Sequence, residues 1–177
     1  MAALQATIQF QAEKLGEYRN KAPKRESAST DGPKLMLAMS GGNVFVPEAP
    51  DVRDRLTGIH LDVQIWNVGL PSIATEWSLV VIPQGQLPVV AQLARMPELL
   101  RAGGPYSSVV LRGSEALDAR TRADPVTENI TDGPLLFYVP LPKIIVMDPN
   151  TRLELTIKDV NGVGKTATKI IGEWLSR

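Results

Sequence analysis

The chain has no cysteine, one histidine and no net charge. Without cysteine there is no disulfide framework and no thiolate metal site. A histidine-built metal centre usually takes two or three imidazoles, and a catalytic dyad needs a nucleophile beside its base. His60, the lone histidine, therefore gives little support to either. Basic and acidic residues number 19 each, so no global field draws the chain to nucleic acid or to an anionic membrane. No apolar run nears the roughly 20 residues that span a bilayer. The N-terminus also lacks the order of a signal peptide. Lys14 and Arg19 come late, and Gln5, Gln9, Gln11 and Glu13 interrupt any apolar stretch. A membrane enters the expectation only if an anchor precedes Met1.

What is present suits one domain with an appendage. The 177 residues are 44% hydrophobic and 21% charged, an ordinary globular balance. Residues 2–19 lack proline and are rich in Ala, Gln, Leu, Glu and Lys, which predicts a helical arm. Leu4, Ile8, Gln11, Leu15 and Tyr18 repeat at alternating steps of four and three, a seam too short for a stable isolated coiled coil. Residues 20–33 are polar, with Ser, Pro and Gly, and read as a linker. Lys21, Lys24 and Arg25 make it locally basic, as solvated charge runs often are.

From Lys34 the pattern becomes one of strands, so 34–177 is the expected domain. In 59–66, Ile59, Leu61, Val63 and Ile65 alternate with His60, Asp62, Gln64 and Trp66, predicting a half-buried antiparallel strand. His60 then falls on a polar face, solvated or paired across strands. Asn67-Val68-Gly69 turns the chain before Pro71. Further strands are expected at 75–82, 107–111, 135–139, 153–160 and 165–171, with one or two leading strands in 34–46. Asn161-Gly162 is a strong hairpin signal between the last pair. Residues 86–101 have a partly helical register limited by Pro88 and Pro97, predicting a short helix within an insertion. Seven or eight short strands separated by turn signals predict two antiparallel sheets packed face to face.

The stretch GIHLDVQIWNVGLPSIATEWSL, Gly58 to Leu79, resembles the strand, Asn-x-Gly, strand unit of immunoglobulin-like sandwich domains in bacterial surface and membrane-associated proteins. GPLLFYVP and LELTIKDVNG resemble the last strands of such domains. The resemblance covers about two-thirds of the chain and implies an immunoglobulin-like antiparallel sandwich behind a helical arm that follows an anchor. Its motifs are structural, so it transfers no functional residue. The cysteine pair of antibody domains is absent.

Few residues offer chemistry. Gly162-Val-Gly-Lys165-Thr166 ends like a phosphate-binding loop, but Asp159 occupies the first glycine position and strand-forming residues follow, so a hairpin turn is expected. Asp118, Asp124, Glu128 and Asp132 gather between Glu115 and the next strand; they could hold Ca²⁺ or act as paired acid and base, or simply be solvated. None of the serines sits in G-x-S-x-G. Trp77 is expected in the core. Trp66 lies on the face opposite Ile65, where it is either an exposed aromatic or covered packing. Asn129-Ile-Thr131 fits a glycosylation acceptor, a triplet common by chance.

The expectation is a non-enzymatic binding or accessory module that presents sandwich loops to a protein partner or to a second copy of itself. It needs no cofactor and no metal. Residues 86–106 and 112–133 are the expected contact regions, with Trp66, Arg101, Tyr106 and Asp118 as candidate surface residues. Deleting 86–106 is expected to spare the strands. The alternatives are a carbohydrate-binding module using exposed aromatics and a hydrolase using the acidic loop.

Overall fold

The computed structural model describes residues 32–47, 55–97, 99–104 and 107–175. The arm expected over 2–19 and most of the linker lie outside the described residues, as does Tyr106.

The described strands are β1 (Leu35–Phe45), β2 (Thr57–Asn67), β3 (Ala74–Ile82), β4 (Val89–Leu93), β5 (Leu99–Gly104), β6 (Ser107–Arg112), β7 (Thr131–Val139), β8 (Arg152–Asp159) and β9 (Gly164–Ile170). The expected mainly β, antiparallel body is present, with nine strands in place of seven or eight. Seven form one sheet in the order β1-β2-β7-β4-β3-β8-β9, and β5 pairs with β6 in a separate ribbon. The sheet is continuous because β4 changes partner along its length. Val89, Val90 and Ala91 pair with β3, then Gln92 and Leu93 pair with β7. It curls until β1 lies beside β9, and among the described residues no ladder joins those two edges.

Curling puts one face of every strand of the main sheet around a shared core. Ile59, Leu61, Val63 and Ile65 of β2, Leu79 and Val81 of β3, Leu135, Phe137 and Val139 of β7, and Leu153, Leu155 and Ile157 of β8 are almost completely buried there. Trp77 joins them, as expected. Alternation does this directly, since residues two apart share a face. In β1 the parity changes at a bulge between Met39 and Gly41. Leu35, Leu37 and Met39 point inward before it and Val44 after it, while Ser40 is the unpaired extra residue. The two leading strands considered from sequence are thus one bent strand.

Three corrections concern the insertion. Residues 86–101 hold no helix among those described; they carry β4 and the start of β5. Pro88 and Pro97 bound this stretch, and β4 gains its form from ladder partners on both sides. Removing 86–106 would therefore delete a strand from the middle of the main sheet, so the expected harmless deletion is overturned. The helix lies later, in the stretch read as a loop: a 3-10 turn (Gly113–Glu115) leads into α1 (Leu117–Ala123). Leu117 and Thr121, four residues apart, form its buried side, and Thr121 Oγ1 donates to Leu117 O at 2.8 Å. Two further one-turn helices, α2 (Lys143–Val146) and α3 (Gly172–Leu175), follow β7 and β9.

The Asn161-Gly162 turn forms as expected. Gly162 has a φ of +76°, a region L side chains avoid. Asp159 Oδ1 accepts from the backbone N–H of Asn161 at 2.8 Å and of Val163 at 2.9 Å. Asp159 thus caps a hairpin, and Gly164–Thr166 open strand β9 where a phosphate-binding loop would open a helix.

Candidate functional site

The site grows from the outward face of β2. His60, Asp62, Gln64 and Trp66 all lie on it, as the alternation predicts. Their environments then diverge. At one end Phe45, Leu136, Met96 and Ala116 form a small apolar cluster on the outside of the sheet. Its Phe45 ring meets the Tyr138 ring edge-on at a centroid distance of 6.3 Å. Gly133 lets the covering segment come close: a Cβ there would stand 2.8 Å from Glu115 O. His60, whose cross-strand neighbours are Asn43 and Leu136, is buried beside this patch, with 1% of its surface exposed. The expectation of a solvated or cross-strand-paired histidine is overturned, because residues far along the chain fold over the polar face of the strand.

Asp62 sits where that cover ends. His60 Nε2 lies 3.1 Å from Asp62 Oδ1; the imidazole is 2% exposed and the carboxylate 53%. The approach has hydrogen-bond length but poor alignment, and neither imidazole nitrogen has a well-formed bond. The N–H that His60 turns toward Asp62 holds its carboxyl below the ordinary 3.8; partial burial opposes the shift, and attraction to the imidazole adds to it. Asp62 is therefore an anion across the neutral range and a weak proton acceptor.

Beyond Asp62 the face opens into a cleft of about 530 Å³. The floor is Asp62 and Gln64 of β2, Asp132 and Pro134 of β7, and the bulged Ser40 and Gly41 of β1. Ser40 Oγ donates to Asp62 O at 3.1 Å, so the hydroxyl is tied to backbone and lies outside any relay with His60. Glu115 and Arg120 form the wall. Arg120 is anchored by Nη1 donating to Asp132 O at 2.6 Å. Among the described residues, no ion pair engages Glu115, Asp132 or Arg120. No three acidic or histidine side chains gather closely enough to hold a metal ion, again among the described residues.

The sequence candidates scatter. Asp118 lies on α1, 3.8 Å from Arg122, and lines a second cleft of about 440 Å³ with Arg95, Met96 and Pro97. Asp124 lines a third, small recess, and Glu128 is exposed. The acidic run therefore does not converge; only its outer members, Glu115 and Asp132, line the same cleft. Trp66 is half-buried and lines none of these clefts. Arg101 pairs with Val110 in the β5–β6 ladder. Ser40, Asp62, Gln64 and Arg120 were not singled out as site residues from sequence. The shared face of Asp62 and Gln64 was legible, but the approach of Glu115 and Arg120 was not.

The Asp62 contact has a pH signature. A carboxyl whose folded value is depressed adds stability above its unfolded value and loses it as pH falls through the folded one. Asp62→Asn is expected to lower stability at neutral pH, by less than about 1 kcal/mol because solvent screens a half-exposed carboxylate. Urea unfolding at a series of pH values should show the gap to the parent chain narrowing below pH 3.8. A gap independent of pH would exclude the contact as its source.

No family model matches the sequence, and the comparison with curated proteins found no match. Among the solved structures loosely similar to it are the following two. One is a Bacillus subtilis protein described as a lipoprotein (YcdA), 11% identical with a TM-score of 0.41. The alignment covers 80% of this chain and only 38% of that one. The other is a Bordetella pertussis protein described as ApaA, 12% identical with a TM-score of 0.35, covering 78% of this chain and 89% of that one. Likeness at this level carries no conclusion about fold family or activity.

Proposed function

We propose that this domain is a non-enzymatic binding module whose contact surface for a protein partner is the cleft between the outward face of β1, β2 and β7 and the segment from Gly113 to Ala123. The observation that carries the reading is the cleft's construction. A persistently ionised Asp62 is held from behind by a buried imidazole, and unpaired charges from two other segments face the same space. Low basicity suits binding better than proton transfer. Carbohydrate recognition has less support, since among the described residues no aromatic side chain lines the cleft to stack on a sugar ring.

The finer fold reading belongs to the same proposal: an immunoglobulin-like domain. Its support is strand order. β1-β2-β7-β4 and β3-β8-β9 parallel the four- and three-stranded sheets of the constant-type domain, with β4 bridging them. The buried Asn67 in the Asn-x-Gly turn adds to it. A tether through the N-terminal arm is the remaining part of the proposal.

Panning a random peptide library on the immobilised full chain tests the reading. Enriched peptides should lose at least roughly tenfold in affinity, about 1.4 kcal/mol, when Gln64 and Asp132 are replaced by alanine. Enrichment that is indifferent to both residues would place the binding surface elsewhere and sink the proposal.

A further inference from the structure

The cleft's charges narrow what it can receive. Resting on the reading above, we infer that its occupant is the guanidinium or ammonium group of a basic side chain on the protein partner. Three carboxylates and one guanidinium line the cleft, a net of minus two with every group ionised, in a chain whose total charge is zero. A cleft lined by an excess of one sign of charge attracts groups of the opposite sign.

The placement of each group favours an incoming donor. Asp62 presents Oδ1 to His60, and Oδ2 lies on the Gly41 side, 3.1 Å from where a Cβ on that glycine would stand. Oδ2 has no hydrogen-bond donor among the described residues and is free to accept one. Arg120 offsets only one of the three carboxylates, and among the described residues it forms no ion pair with any of them; its Nη1 donates to Asp132 O. The imidazole behind Asp62 is buried, turns Nε2 toward this floor and makes no aligned bond there. It supports the ionised carboxylate from the side a ligand cannot reach.

The occupant's shape follows from spacing. Among the described residues no three carboxylate or histidine side chains gather closely enough to hold a metal ion, so the cleft's carboxylates do not form a compact metal site. A forked guanidinium with five N–H donors, or an ammonium on a flexible stem, suits carboxylates set apart in this way better than a compact ion does. A cleft of about 530 Å³ has room for an arginine side chain and part of its backbone.

The test is a titration of the isotope-labelled full chain, followed by amide chemical shifts, with acetyl-arginine amide and with its uncharged isostere acetyl-citrulline amide. The arginine probe should give saturable shifts at Gln64, Glu115 and Asp132 that weaken with added salt, and the citrulline probe should bind at least roughly tenfold more weakly. Glu115→Gln with Asp132→Asn, both isosteric changes at exposed positions, should reduce arginine binding by a similar factor with the melting temperature unchanged. Equal binding of both probes would overturn the inference while leaving the cleft a binding site. Absence of arginine shifts alongside cleft-dependent library peptides would overturn it in the same way. Absence of both would remove the binding reading as well.

Discussion

Replacing Asn67 with alanine is expected to cost about 3–4 kcal/mol of folding free energy, since a fully buried side chain loses four hydrogen bonds to the backbone together. Asn67 is fully buried at the end of β2. Its Oδ1 accepts from Lys34 N and from Gly69 N, each at 2.9 Å. Its Nδ2 donates to Leu70 O at 2.6 Å and, at the long limit of 3.4 Å, to Val126 O. One side chain thus links the start of β1, the β2–β3 turn and the segment before β7. Alanine removes all four bonds at once, three of them part-buried, while Val126 O keeps the N–H of Ser72. Aspartate keeps both acceptor contacts and loses both donor contacts, so it should fall between the parent and alanine. Urea denaturation of the three chains decides the matter. A loss below about 1 kcal/mol for alanine would mean that the corner rehydrates freely and that the side chain is not its organiser.

Phe137→Ala should be comparably severe, at about 3–5 kcal/mol, the range for deleting a buried aromatic ring. Phe137 is completely buried on β7. Its backbone partners are Ile59 of β2 and Leu93 of β4, at the point where β4 has crossed from β3 to β7. The ring therefore packs where the two halves of the sheet meet, among strands held by their ladders. Ile144→Ala is the matched control. Ile144 lies on α2 and is 82% exposed, so its loss should change stability by no more than about 0.5 kcal/mol. Similar losses from the two changes would contradict the position of the core. Both are read from denaturation midpoints at constant slope.

Much of this architecture was legible as a two-residue period. β2, β3, β8 and β9 lie within a residue or two of their expected bounds, and the Asn161-Gly162 hairpin joins the last pair. β7 begins four residues earlier than expected, because Thr131–Pro134 pair with β2 despite the turn-like Asp132-Gly133-Pro134. β4 was hidden for a related reason. Its five residues, VVAQL, do not alternate over enough length to identify a strand, and ladders with β3 and β7 supply what the local pattern lacks. α1 was hidden in the opposite way. Its seven residues are too few for a periodic signal, and Leu117 and Thr121 become an inner face only because the helix lies against the sheet.

The candidate site divides along the same line. Local chemistry along one strand determined that His60, Asp62, Gln64 and Trp66 share a side, since successive side chains must point opposite ways. It also determined the turns, because Asn-Gly and Asn-x-Gly carry their own hydrogen bonding. Only tertiary structure decided that His60 is enclosed, that Asp62 stands at the rim of the cover, and that Glu115 and Arg120 arrive beside Asp132. Those outcomes depend on a segment more than fifty residues away in the chain. Backbone sterics act between neighbours and can be read in order, whereas the burial of a charge or an imidazole depends on what folds over it.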